Sequence, residues 1–246
     1  MSPSHHVRFV LLNPRSGGNV GAVARALKNF GHRHAVIVGD DAFDADHARM
    51  MAVQSEDVLE AMPRFPSFDE AVADCAWVVG TSPRRRRGMR SLSVRAFAEE
   101  AMQRLSTGHV ALVFGEERSG LSNEQLDRCH DLSAIDTDPA QPSVNLAQAV
   151  LLYAYDLRVA AALPRPAEAG PTAATDGELQ GLRSGLEQLL GEAGFLTHDP
   201  RPALGGLVAT LERARLTREE ARLWRAALAS AIKALTGRRR PSSDVE

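Results

Sequence analysis

The sequence predicts an α/β fold, a mainly parallel sheet with helices on both faces, followed by a small all-helical domain. Three observations carry this. Val7–Leu12, Ala35–Val38, Trp77-Val78-Val79, Val110–Phe114 and Leu132–Ile135 are short continuous apolar runs, the pattern of strands covered on both faces. Segments between them repeat apolar residues at helical spacing, and strands alternating with helices give a parallel sheet. After Leu163 the strand pattern stops. The spans expected are a first domain over 1–162, a linker over 163–177, a helical domain over 178–237 and a basic polar tail over 238–246.

Taken in order, Val7–Leu12 runs into a polar, glycine-rich loop, Asn13–Gly21. Val20, Val23, Ala24, Leu27 and Phe30 then share one helical face, and Gly31 ends that helix. Helical patterns follow around Asp44–Ser55, Phe68–Asp74 and Leu92–Leu105. The strand at Trp77 closes on Gly80-Thr81-Ser82-Pro83, and the arginine loop Arg84–Arg90 comes next.

The stretch from Val110 to Arg158 organises the first domain. Its strand ends in Gly115-Glu116-Glu117-Arg118-Ser119-Gly120, where glycines allow a sharp turn and close approach of a ligand. Ser122 and Gln125 form a capping box for a short helix. Leu132–Ile135 leads into Asp138-Pro139-Ala140-Gln141-Pro142 and Ser143-Val144-Asn145. From Asn145 onward Leu146, Ala149, Val150, Tyr153 and Leu157 open a long amphipathic helix. In open α/β sheets ligands sit beside such loops, at the carboxyl ends of strands. In the last third, Pro164–Gly177 reads as a linker. Glu178–Ala193, Ala203–Ala214 and Thr217–Leu235 read as helices, with Gly194 as a C-cap.

Composition is that of an ordinary water-soluble domain, with 44% hydrophobic and 24% charged residues. No run approaches the roughly 18 to 20 apolar residues of a membrane span, and Met1–His6 lacks the apolar centre of a signal peptide. Cys75 and Cys129 have no metal-ligand spacing and suggest a reducing compartment, hence the cytoplasm. A net charge of −2 excludes a basic nucleic-acid coat, and the distribution of charge says more than its sum. Of the 29 basic residues 27 are arginine, whose planar fork suits phosphate; Arg84, Arg85, Arg86, Arg87 and Arg90 form the densest cluster.

Strand, glycine loop, helix, strand and then Asp40 also follow the order of a dinucleotide-binding unit, which leaves an NAD(P)-dependent oxidoreductase open. The fit fails at the first glycine, where Ser16 stands, and no Gly-Lys-Ser/Thr makes a phosphate loop of the Walker kind. A loop with Asn19 at the helix start and Arg25 almost two turns in suits a ribose-phosphate better.

Three separated segments resemble one family. They are Asn19-Val20-Gly21-Ala22-Val23-Ala24-Arg25-Ala26, Phe114-Gly115-Glu116-Glu117-Arg118-Ser119-Gly120-Leu121 and Ser143-Val144-Asn145-Leu146-Ala147. Their order and spacing are those of the SPOUT methyltransferases, SpoU/TrmH branch, and the helical extension fits as well. The resemblance implies a C-terminal deep trefoil knot and methyl transfer from S-adenosyl-L-methionine to a ribose 2′-OH, in tRNA at anticodon-loop position 32. It implies a homodimer with the active site at the interface, no membrane and no DNA partner. Arg25, Asn19, Ser143 and Asn145 are the catalytic candidates. Thr81, Ser82, Pro83, Gly115, Glu117, Ile135, Val144 and Leu146 are expected to hold the cofactor, with Glu116 able to replace Glu117. A guanidinium keeps its proton, so Arg25 is expected to orient the hydroxyl and phosphate and to stabilise alkoxide charge rather than act as a literal base. The alternatives are an rRNA-directed enzyme of the same branch and a non-catalytic RNA-binding module. The segments Leu12–Ser16 and Arg84–Arg90 depart from the branch pattern, and both lie where RNA would be met.

Overall fold

The computed structural model describes residues 6–39, 43–86, 88–163, 171–196 and 200–238. The chain divides into two compact units, Met1–Gly170 and Pro171–Glu246.

In the first unit the elements run β1 (Val7–Leu12), α1 (Gly17–Asn29), β2 (Ala35–Val38), α2 (Ala45–Ala52), α3 (Glu56–Glu60), β3 (Arg64–Phe65), α4 (Phe68–Val72) and β4 (Cys75–Thr81). They continue with β5 (Ser91–Ser93), α5 (Val94–Arg104), β6 (His109–Phe114), α6 (Asn123–Asp127), β7 (Asp131–Ala134) and α7 (Leu146–Ala161). The strands form one sheet in the order β3-β2-β1-β6-β4-β7-β5. Every pairing is parallel.

Burial explains why the strands read as unbroken apolar runs. Phe9 and Leu11 face one layer with Val20, Val23, Leu27, Phe97, Val150 and Tyr153. Val10 and Leu12, one residue out of phase, face the other with Val72, Leu126 and Leu132. A strand with both faces covered has no polar side to alternate with. Two edge strands, β3 and β5, are missing from the expected elements, because two or three residues carry no readable period. Thus Ser91–Ser93 is strand where the pattern predicts the start of a helix.

The glycine-rich loop is shorter than expected. Ser16 caps α1, its Oγ accepting from Asn19 N at 3.3 Å, so the helix begins at Gly17 and Asn19 stands in its first turn. A Cβ on Gly21 would come within 2.0 Å of the Ala48 carbonyl oxygen, and one on Gly17 within 2.0 Å of that of Asp44. These glycines let α2 pack against the backbone of α1.

The second unit holds α8 (Asp176–Glu192), α9 (Pro200–Arg213) and α10 (Arg218–Arg238). Of the expected linker, residues 164–170 lie outside the described residues. Residues 172–174 pair with the segment before α10, through Ala174 N to Leu216 O at 2.8 Å and Arg218 N to Thr172 O at 2.9 Å. Thr175 and Glu178 form the capping box of α8. Of the expected tail, residues 239–246 are outside the described residues. No described helix is long and apolar enough to cross a membrane.

Candidate active site

The sheet changes direction between β1 and β6: the chain first builds outward through β2 and β3, then returns to fill the other side. Loops on the two sides of such a switch point part and leave a crevice at the strands' carboxyl ends. On the β6 side of that point the loops after β4, β6 and β7 line a cavity of about 340 Å³, to which the loop after β1 contributes no lining residue. Thr81, Ser82, Pro83, Gly115, Glu117, Ile135, Val144 and Leu146 all line it, as does Ser143. The strand ends that carry these loops are tied together, with Thr81 Oγ1 donating to Val113 O at 2.9 Å and Ser82 N to Ser133 O at 2.9 Å. Gly115 is required: a Cβ there would sit 2.2 Å from the carbonyl carbon of Gly120.

Ser133 and Tyr153 also line the cavity and are missing from the expected set. Tyr153 OH donates to Ser133 Oγ at 2.9 Å, and Ser133 Oγ donates to Leu92 O at 3.1 Å. Burial pushes the Tyr153 phenol well above its ordinary value, so it remains a donor. In the sequence Tyr153 is simply one of the core positions of α7. The only hint of Ser133 is a hydroxyl inside an apolar strand.

The second motif meets the first at Glu117. Its carboxylate accepts from Arg15 N and Ser16 N at 3.1 Å each and from Asn19 Nδ2 at 3.2 Å. Burial alone would raise its pKa, but these hydrogen bonds outweigh burial and hold it below the ordinary carboxylate value. A carboxylate of the chain itself therefore sits beside the start of α1, where a phosphate was expected, and it binds the N–H groups of Arg15 and Ser16 just before the helix. Glu116 does not take this place; it pairs with Arg15 Nε at 2.8 Å.

The third motif joins the same group. Asn145 caps α7, its Oδ1 accepting from Ala147 N at 2.9 Å, while its Nδ2 donates to Asn19 Oδ1 at 2.9 Å. Asn145, Asn19 and Glu117 thus form one chain of side-chain hydrogen bonds at the junction of α7, α1 and the loop after β6. Arg25 is exposed on α1 and is not among the residues lining the cavity.

Most of the arginine loop is engaged. Arg90 binds the buried Asp131 through Nε at 2.9 Å, and Asp131 also accepts from Trp77 Nε1 at 2.9 Å. Glu100 accepts from Arg90 and from Arg104. Burial would raise the Glu100 carboxyl, and these two cations hold it below its usual value. Arg84 donates to the Leu121 carbonyl and Arg86 to Asp127. Arg85 is exposed and pairs with no described residue; Arg87 lies outside the described residues.

The profile of the SpoU rRNA Methylase family matches residues 6–155, and the chain belongs to that family. The resemblance drawn from the three motifs holds, and it displaces the dinucleotide reading, whose Asp40 is outside the described residues. The relatives are specific. A Pseudomonas aeruginosa protein, tRNA (cytidine/uridine/adenosine-2′-O-)-methyltransferase TrmJ, is 34% identical over 94% of this chain and 95% of its own length. The Cronobacter sakazakii tRNA (cytidine/uridine-2′-O-)-methyltransferase TrmJ is 34% identical over 92% of this chain and 95% of its own. The crystal structure of TrmJ from Z. mobilis ZM4 superposes with a TM-score of 0.75 at 30% identity, over 91% of this chain and 97% of the other.

Proposed function

We propose that the protein is a tRNA 2′-O-methyltransferase that uses S-adenosyl-L-methionine and acts in the anticodon loop, at position 32. The observation that carries this is that the second and third motif segments line one cavity and Asn19 of the first is hydrogen-bonded to Glu117 and Asn145 beside it, in a chain that shares about a third of its residues with relatives named as tRNA 2′-O-methyltransferases.

The cavity fits the cofactor. Its size is in the range of small-molecule sites. Phe114, Leu121, Ile135, Val144 and Leu146 offer apolar walls for an adenine, and loop backbone offers groups for its polar edges. Glu116 and Glu117 stand among the lining residues, and negative charge near the cavity favours a cationic sulfonium. The cofactor supplies a methyl group on that sulfonium, to be taken by the ribose oxygen. Asn19 and Asn145 then hold the nucleotide side of the site, with Ser143 on the cavity wall. Arg25 turns the 2′-OH and its neighbouring phosphate into line and stabilises the alkoxide charge that develops as the hydroxyl proton leaves to water.

A second copy of the chain completes the reading. Arg25 does not line its own chain's cavity, yet α1 packs against α7. Leu151, Leu152, Tyr155 and Val159 of α7 are 38% to 52% exposed, an uncovered apolar stripe. A dimer formed on this face covers the stripe and brings Arg25 of one protomer towards the cavity of the other. The trefoil knot has its own support. In it the chain after β6 would thread the loop that joins β4 to β5, and the position of β7 between those two strands supports this reading.

Nucleoside mass spectrometry of tRNA incubated with the protein and S-adenosylmethionine tests the reading. A 2′-O-methyl nucleoside mapped to position 32 is expected. Methylation of ribosomal RNA but not tRNA would replace the substrate, and cofactor binding without methylation of either would leave a binding module.

A further inference from the structure

The arginines of Arg84–Arg90 are the densest positive cluster in the sequence, and a solvated RNA-binding loop is the simplest expectation for them. The contacts of Arg84 and Arg86 point elsewhere. Arg84 lines the cavity; its guanidinium donates to the Leu121 carbonyl and its backbone N–H to Ser82 Oγ at 3.1 Å. Arg86 reaches α6, with one guanidinium nitrogen on the Asp127 carboxylate and the other 2.6 Å from Asn123 Oδ1. Ser82, Arg84 and Arg86 belong to the loop after β4. Leu121, Asn123 and Asp127 belong to the segment after β6. Those are two of the three walls of the cavity.

We infer that Arg84 and Arg86 form a strap that fastens these two walls together and so pre-forms the cofactor site, leaving Arg85 as the described arginine of residues 84–86 that is free to meet RNA. The inference rests on the cofactor reading above. Arg84 acts at the wall itself. Arg86 touches no lining residue through its guanidinium and is a positioning residue, working through Asn123 and Asp127. Two loops that move independently must be ordered when a ligand arrives, and that ordering subtracts from affinity; loops already tied do not incur the loss. Hydrogen bonds between a guanidinium and a carboxylate or carbonyl are charge-assisted and directional enough to set such a spacing. Asp127 is exposed, so the tie is weakened by salt.

The test is calorimetric titration of the full-length protein with S-adenosylhomocysteine, which carries no net charge at neutral pH and so has little salt dependence of its own. Arg86→Gln and Asp127→Asn should each raise the Kd by roughly two- to fivefold, and Arg84→Ala by about tenfold. The charge swap Arg86→Asp with Asp127→Arg should return the Kd to near the original value, which a merely structural role for either residue would not do. Wild-type affinity should fall as salt is raised, and the Arg86→Gln protein should lose that dependence. In parallel, Arg86→Gln should leave the salt slope of tRNA binding unchanged, whereas a lost phosphate contact would flatten it by about one. An unchanged Kd in the two single variants, or a swap that restores nothing, overturns the strap. Asp127 lies on the surface, so Asp127→Asn provides a folded variant in either case. Failure of the wild-type protein to bind S-adenosylhomocysteine would instead overturn the cofactor reading.

Discussion

Asn145 Nδ2 donates to Asn19 Oδ1 at 2.9 Å, joining side chains 126 positions apart. Asn19 passes the link on to Glu117. This contact is where the first and third motifs meet, and it sets how α7 and α1 approach the cavity. Asn145→Ala should cost about 1 kcal/mol of stability through the lost cap of α7 and should also impair methyl transfer. Asn145→Asp keeps an oxygen for the cap but loses the Nδ2 donor. Its melting temperature should stay close to wild type while methyl transfer falls at least about tenfold. Equal activity in the Asp variant would reduce Asn145 to a helix cap.

Arg25 separates chemistry from cofactor binding. Arg25→Ala should abolish methylation of tRNA while leaving the Kd for S-adenosylhomocysteine nearly unchanged, since its fork acts on the RNA rather than on the cofactor. Arg25→Lys should also be severely impaired, because a point charge does not reproduce a two-point fork. Near-normal turnover in either variant would make Arg25 a surface residue.

Glu117 has a pH signature. Its folded-state pKa lies below the ordinary 4.5, so its hydrogen bonds add stability that is fully present above that value. The contribution disappears as pH falls through the lower folded value. Glu117→Gln should therefore be less stable than wild type at neutral pH, with the gap closing on acidification below about pH 4. Thermal melts across pH 3 to 7 check this; a gap that stays constant would show that the carboxylate's charge is irrelevant.

Gly21 decides between two opposing effects. In an exposed helix, Gly→Ala stabilises by about 1 kcal/mol. Here the new methyl would lie 2.0 Å from the Ala48 carbonyl oxygen, so α2 must shift. Overpacking costs about 1–3 kcal/mol, and the net change for Gly21→Ala should be destabilising. A denaturant midpoint at or above the wild-type value would mean that α2 moves freely.

RNA affinity should be distributed over small patches. Arg85 is one. The groove between α8 and α10 is another, where Arg222 and Arg225 stand beside Ser184 and Gln188 with no acidic residue in its lining. Replacing Arg222 and Arg225 together by Ala should lower the salt slope of tRNA binding by up to about two, and Arg85→Ala by about one. Filter binding across salt concentrations measures both, and an unchanged slope would remove the patch in question from the RNA surface.

Much of this was present in the chain's local pattern. The five apolar runs gave strands because full burial on both faces demands continuous hydrophobicity, and the capping box of Ser122 and Gln125 was visible because a cap acts within three residues. Loop position at strand ends gave the place of a ligand, and the resemblance of the three motifs to one family gave the cofactor-site candidates. The short strands β3 and β5 were not legible, since so few residues have no period and are held by neighbours chosen elsewhere in the chain. Gly17 and Gly21, read as part of a ligand loop, pack α2 onto α1. Ser133 and Tyr153 looked like ordinary strand and helix positions until the fold set them side by side. Sequence alone also clustered Arg84, Arg86 and Arg90 as one positive patch. Only the tertiary structure assigned Arg84 a carbonyl, Arg86 a carboxylate on α6 and Arg90 the buried Asp131, because the partners of a long, flexible cation are fixed by which distant segments the chain brings within its reach.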